Sequence, residues 1–185
     1  EFWPRSHIFD KTKLFTMLSA NSDIMIRTLF LLSSFAWFTN QSAGFGDVVL
    51  AANHILLQLI SFSAFFLDGY AYVVESLVGK AVGAKDRAAF DMAVKRSTIL
   101  AVVTAFGLAL LIWFFGDWVV AWLTDLEAVR QQAGSLLLLA AVYVFLAFAA
   151  FQLDGIFIGA SFTREMRNAS VLSFLVFMGV GFLLI

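Results

Sequence analysis

Apolar residues run through this chain in long stretches, separated by short polar breaks. Five runs stand out, at about 23–43, 48–79, 94–115, 133–160 and 169–185. A helix that crosses a bilayer needs roughly 20 mostly apolar residues, and each run meets or approaches that length. The strands of a membrane barrel would alternate over segments of about ten residues; these runs are too long and too continuous. The single Pro, Pro4, agrees with a helical reading. The pattern predicts an all-α membrane protein with five transmembrane helices. Residues 1–22 precede the first run. Within them, 10–21 mix Lys11 and Lys13 with Leu14, Phe15, Met17 and Leu18. That mixture predicts a helix lying on the membrane surface, or a linker between two halves of a larger bundle.

Polar positions inside the second run have a period of their own. Alternate steps of four and three from His54 give Gln58, Ser61, Phe65, Asp68, Tyr72 and Glu75. Such steps stay on one helical face, drifting by about 20° per heptad. A polar stripe therefore runs along an otherwise apolar helix. A charge facing lipid costs about 2.5–3.5 kcal/mol on the mildest scale, so the stripe is expected to face other helices or a water-filled cavity. Asp154 repeats the Leu-Asp-Gly of Asp68 in the fourth run, close to Gln152. Counted from Lys80 and Arg164, Asp68 and Asp154 lie ~18 Å and ~15 Å deep, while Glu75 is ~7–8 Å deep. Asp68, Asp154 and Glu75 are the candidate cavity or ion-coupling residues. His54, Gln58, Ser61, Tyr72, Gln152 and Asn40 are candidates for a polar cavity lining. A carboxyl away from water can bind and release a proton, as a proton-coupled carrier requires. Structural readings stand beside this one: each Asp-Gly as a helix irregularity that bonds freed amides, and Glu75 paired with Lys80. Gly79 and Gly83, and likewise Gly155 and Gly159, have the spacing of close helix contacts.

Charge adds orientation. Arg5, Lys11, Lys13 and Arg27 lead the chain; Lys80, Lys85, Arg87, Lys95 and Arg96 follow the second run; Arg164 and Arg167 follow the fourth. The other side has only Arg130, against Asp117, Asp125 and Glu127. Cytoplasmic loops collect Lys and Arg, so the leading segment is expected to be cytoplasmic. Trp113, Trp118 and Trp122 then mark the outer interface. "WVVAWL" reads either as a short interfacial helix or as an extension of the third span.

Composition narrows the classes. Of 185 residues, 62% are apolar and only 14% charged, where soluble domains carry about a quarter. The net charge of −1 gives no hint of nucleic-acid binding. Without Cys there is no thiolate chemistry or Cys-based metal site. No nucleophile elbow, phosphate loop or metal-ligand spacing appears, so no catalytic residue, cofactor or metal is expected. The first ten residues show neither a Met nor a signal-peptide pattern, and the last run stops at Ile185. The chain reads as an internal piece of a longer protein.

The stretches "DIMIRTLFLL", "LAANHILLQL", "DGYAYVVESLVGKAVGAKD" and "LDGIFIGASFTREMRNA" resemble the carboxy-terminal half of a MATE (multidrug and toxic compound extrusion) transporter, nearest its DinF-like branch. The resemblance implies a parent of twelve helices in two six-helix lobes. This chain would supply five helices of one lobe and stop before the last. It implies a multi-pass protein of the bacterial inner membrane that exports hydrophobic or cationic compounds in exchange for protons or sodium. Its partners would be membrane lipid, a drug-like substrate and the amino-terminal lobe. In that branch a proton-binding Asp usually sits in the amino-terminal lobe. Another branch uses acidic residues on the helix that Asp154 occupies, without a residue-by-residue match. Two alternatives are a lipid-linked oligosaccharide flippase of the same superfamily, disfavoured by acidic rather than basic intramembrane charge, and an intramembrane aspartyl enzyme built on Asp68 and Asp154.

Overall fold

Long apolar runs with short polar breaks predict a succession of long helices with short connections. The computed structural model describes residues 11–184 and has this form, with five helices in chain order: α1 (Lys11–Gly44), α2 (Asp47–Gly83), α3 (Arg87–Leu123), α4 (Glu127–Gly159) and α5 (Thr163–Leu184). Among the described residues there is no strand. The chain is an all-α membrane protein. Helices α2 to α5 are long and apolar enough to cross a bilayer. α1 is less apolar, with Asp23, Arg27, Asn40 and Gln41 along its span.

The helices outrun the apolar stretches. α2 and α3 have 37 residues each, ~55 Å at 1.5 Å per residue, against roughly 30 Å of hydrocarbon. Residues 11–22 continue into the first span as one unbroken helix; residues 1–10 lie outside the described part. "WVVAWL" is the last part of α3, hence an extension of the third span.

The links are built from caps. After α2, Lys85 takes a left-handed conformation (φ 54). The Asp86 amide then donates to Ala81 O and the Lys85 amide to Val82 O, at 3.0 and 3.1 Å. This is a Schellman ending with Lys where Gly is usual. Asp86 goes on to open α3, its Oδ1 accepting from the Ala89 amide at 3.0 Å. After α4, Ser161 repeats the left-handed turn (φ 62). Between α3 and α4, Arg130 donates to Ala121 O and Thr124 O, both at 2.8 Å. It thereby satisfies carbonyls at the C-terminal end of α3.

The chain divides into two compact units. One comprises the chain up to Ala36 together with 161–185, and so holds most of α1 and all of α5. The other is Trp37–Ala160, with the end of α1 and helices α2, α3 and α4. In the second unit the three long helices pack against one another. Its core is small and aliphatic: Ala52, Leu56, Ala109, Val120, Ala133, Leu137, Ala140 and Val144. The large side chains lie outside, among them Phe62, Phe65, Phe114, Trp122, Leu139 and Leu146. A water-soluble bundle would reverse this, since water penalises exposed apolar area. Lipid does not, and there helices are held by close approach of small residues.

Candidate functional site

Gly155 and Gly159 bring α4 directly onto the backbone of α2. A Cβ at Gly155 would run into Ala71 O and stand 2.7 Å from Val74 Cγ1. One at Gly159 would run into Glu75 O and stand 3.0 Å from Glu75 Cα. Gly79 faces Gly159 from the other side, where a Cβ would sit 3.4 Å from its carbonyl. Small residues permit this approach where lipid gives helices no hydrophobic reason to associate. Of the spaced glycines, Gly83 alone has nothing within 4 Å.

The seam also sets relative level. Gly155 lies against Ala71 and Gly159 against Glu75, so α2 and α4 run side by side in a fixed register. Asp154 is thus level with about residue 70 of α2, and Asp68 lies only ~3 Å away along the axis. The depths counted from the basic edges differ by the same small amount. Asp68, Asp154 and Glu75 are all half-buried. Asp68 and Asp154 flank the seam at one level, and Glu75 is part of it.

The rest of the stripe separates from this group. α2 buries Ala52, Leu56, Ser63, Leu67, Ala71 and Val74 against its neighbours. His54, Gln58, Ser61 and Phe65 are two residues out of step with that set, about 200° round the helix. All four are exposed on the unit's surface, as is Tyr72. Asn40, near the end of α1, is exposed too. Gln152 sits elsewhere: it is 4% exposed, and its amide donates to the Ser97 hydroxyl of α3. Ser97 in turn donates to Ala93 O at 2.8 Å, while Gln152 Oε1 has no hydrogen-bond partner.

Sequence reading missed three further polar contacts. Tyr70 and Thr104 share a hydrogen bond of 2.8 Å between α2 and α3. Asn53 donates to Ser42 at 2.9 Å. Asp23 of α1 is 3% exposed and accepts from Thr163 and Arg167 of α5. An Asp at the edge of an apolar run was the available signal for the last, but nothing in the pattern points to partners 140 residues away. Among the described residues, no three His, Asp or Glu side chains gather into a metal-binding group.

Half-buried carboxylates thus lie at one level on two apolar helices joined by glycines. The MatE family model matches residues 24–183. The chain belongs to the MatE family. The DNA damage-inducible protein F of Escherichia coli (strain K12) is 35% identical over 157 residues, covering 83% of this chain and 33% of that protein. This MatE chain thus spans about a third of the length of the curated relative it matches. Every polar group singled out above, the Asp23 cluster included, is in or within one residue of the matched segment.

Proposed function

We propose that this MatE chain forms part of a secondary transporter. It exports hydrophobic or cationic organic compounds in exchange for protons, with sodium the alternative coupling ion, by alternating access. The observation that carries this reading is the shared depth of Asp68 and Asp154 on the joined helices α2 and α4. Carboxylates kept at mid-membrane are costly, and such residues usually mark ion or substrate paths. Either can take up a proton on one side and give it up on the other, which is the step that antiport needs. Acidic rather than basic groups suit a cationic cargo. The exposed face of His54, Gln58, Ser61 and Tyr72 would line the passage against the amino-terminal lobe. In such a cycle the cargo leaves chemically unchanged and only protons are exchanged, which is the work of a carrier rather than of an enzyme. It resides in the bacterial inner membrane with the start of α1 on the cytoplasmic side.

The test uses the full-length parent in everted membrane vesicles. Asp68→Asn and Asp154→Asn should each reduce proton-driven uptake of a lipophilic cation by roughly tenfold or more, with the protein still inserted. Uptake at the wild-type rate in both variants would exclude a transport role for these groups.

A further inference from the structure

The contacts between α1 and α5 have an unusual chemical balance. Few side chains of α5 are buried: among the described ones, only Thr163 and Met166. Leu172, Leu175, Val176, Val180 and Phe182 are all exposed. Yet the first turns of α5 hold a fully buried carboxylate. Asp23 Oδ2 accepts from the Thr163 hydroxyl at 3.1 Å, and Asp23 Oδ1 accepts from Arg167 Nη1 at 2.5 Å. The other nitrogens of that guanidinium, Nε and Nη2, donate to Asn168 Oδ1 at 3.2 and 3.1 Å. The negative group also sits at the N-terminal end of α5, where the helix dipole favours an anion.

The pair is a poor source of stability: the Arg167 side chain stays 32% exposed, but Asp23 is desolvated, and that cost offsets much of the attraction. The best-attested use of such a pair is to specify register. Register is the problem these helices face. α1 and α5 run parallel, and the three intervening helices leave no short connection to align them. Apolar side chains facing hydrocarbon gain little from one alignment over the next, since lipid is as apolar as they are. A slip by one turn, ~5.4 Å, would leave most of α5 as content as before. It would tear Asp23 from both donors. Phe30 and Phe174, with ring centroids 5.2 Å apart, keep the same alignment one heptad further along.

We propose that Asp23 is a register pin. Its carboxylate, seated between Thr163 and Arg167, fixes α5 against α1 so that the two helices move as one element during transport. It is a positioning residue and carries neither cargo nor coupling ion. This rests on the transport reading above, but part of its test does not.

The chain has no Cys, so introduced cysteines report without background from these residues. In the full-length protein, cysteines in place of Phe30 and Phe174 should be joined efficiently by a short bis-maleimide. Asp23→Asn should move the best partner of position 30 by one turn, to Ser170→Cys or Met178→Cys. It should also lower the maximal export rate by roughly tenfold with the half-saturating cargo concentration unchanged. Exchanging the charges, Asp23→Arg with Arg167→Asp, should restore both readouts in part. If Asp23→Asn fails to insert, Thr163→Val removes one of the two bonds and should shift the cross-link in the same direction. An unchanged cross-link pattern in either variant would overturn the pin. A wild-type protein that exports nothing would sink the transport reading and leave the cross-links to decide this one.

Discussion

Gly69 and Gly155 follow the same Leu-Asp pair, yet they do different work. Within its unit Gly69 has nothing within 4 Å of a built Cβ, whereas Gly155 meets the backbone of Ala71. Gly155→Ala should therefore lower stability by about 1–3 kcal/mol, the usual cost of overpacking. Gly69→Ala should be neutral, or stabilising by up to about 1 kcal/mol through helix propensity. Thermal unfolding in detergent compares the two directly. The Gln152–Ser97 pair gives a second asymmetry. Ser97→Ala strands the Gln152 amide in a buried site and should cost about 1–3 kcal/mol. Gln152→Met leaves Ser97 bonded to its own helix and should cost less. Sequence picked out the carboxylates and the similar level of Asp68 and Asp154, because a charge stands out in an apolar run and helical rise converts residue number into distance. It did not separate the two glycines, since what a missing Cβ would strike belongs to another helix. Nor did it divide the stripe: His54, Gln58, Ser61, Phe65 and Tyr72 share a face with Asp68 and Glu75 by period, but only packing shows that the first five are exposed while the two carboxylates are half-buried.

Helix ends follow rules other than hydrophobicity. Runs of apolar residues located all five helices but do not mark where the helices end, because backbone hydrogen bonding continues until a cap or a turn stops it. For α1 the helix starts well before the apolar run; for α3 it continues through "WVVAWL". The cap residues themselves are legible only in part. Asp86 before Arg87 is a familiar helix start, but a Lys in the left-handed position of the preceding turn is not. Lys85→Gly should relieve that conformation and stabilise the α2–α3 turn by about 1 kcal/mol, seen as a higher midpoint of unfolding. At the opposite end, Arg130 is bound to the last carbonyls of α3. Arg130→Gln should fray that end, with faster amide hydrogen exchange around 121–126 and a loss of about 1 kcal/mol.

For the whole molecule, orientation is the quantity that charge alone argues. Eleven of the twelve Lys and Arg residues belong to one side by the alternation of spans. A cysteine in place of Asp125 should react with a membrane-impermeant maleimide in intact cells, and one in place of Ser161 only after lysis. The opposite result would invert the proposed topology. Because the chain spans about a third of its curated relative, vesicles bearing only these 185 residues are expected to show no counterflow of cargo.

The glycine seam bears on how oily molecules dissolved in the bilayer would get in. Where Gly155 and Gly159 rest on the main chain of α2, no gap is left for an acyl tail or an aromatic ring to wedge sideways. A lateral doorway between these two helices is therefore shut at that level. On the proposed function, cargo arriving from the leaflet would need another threshold.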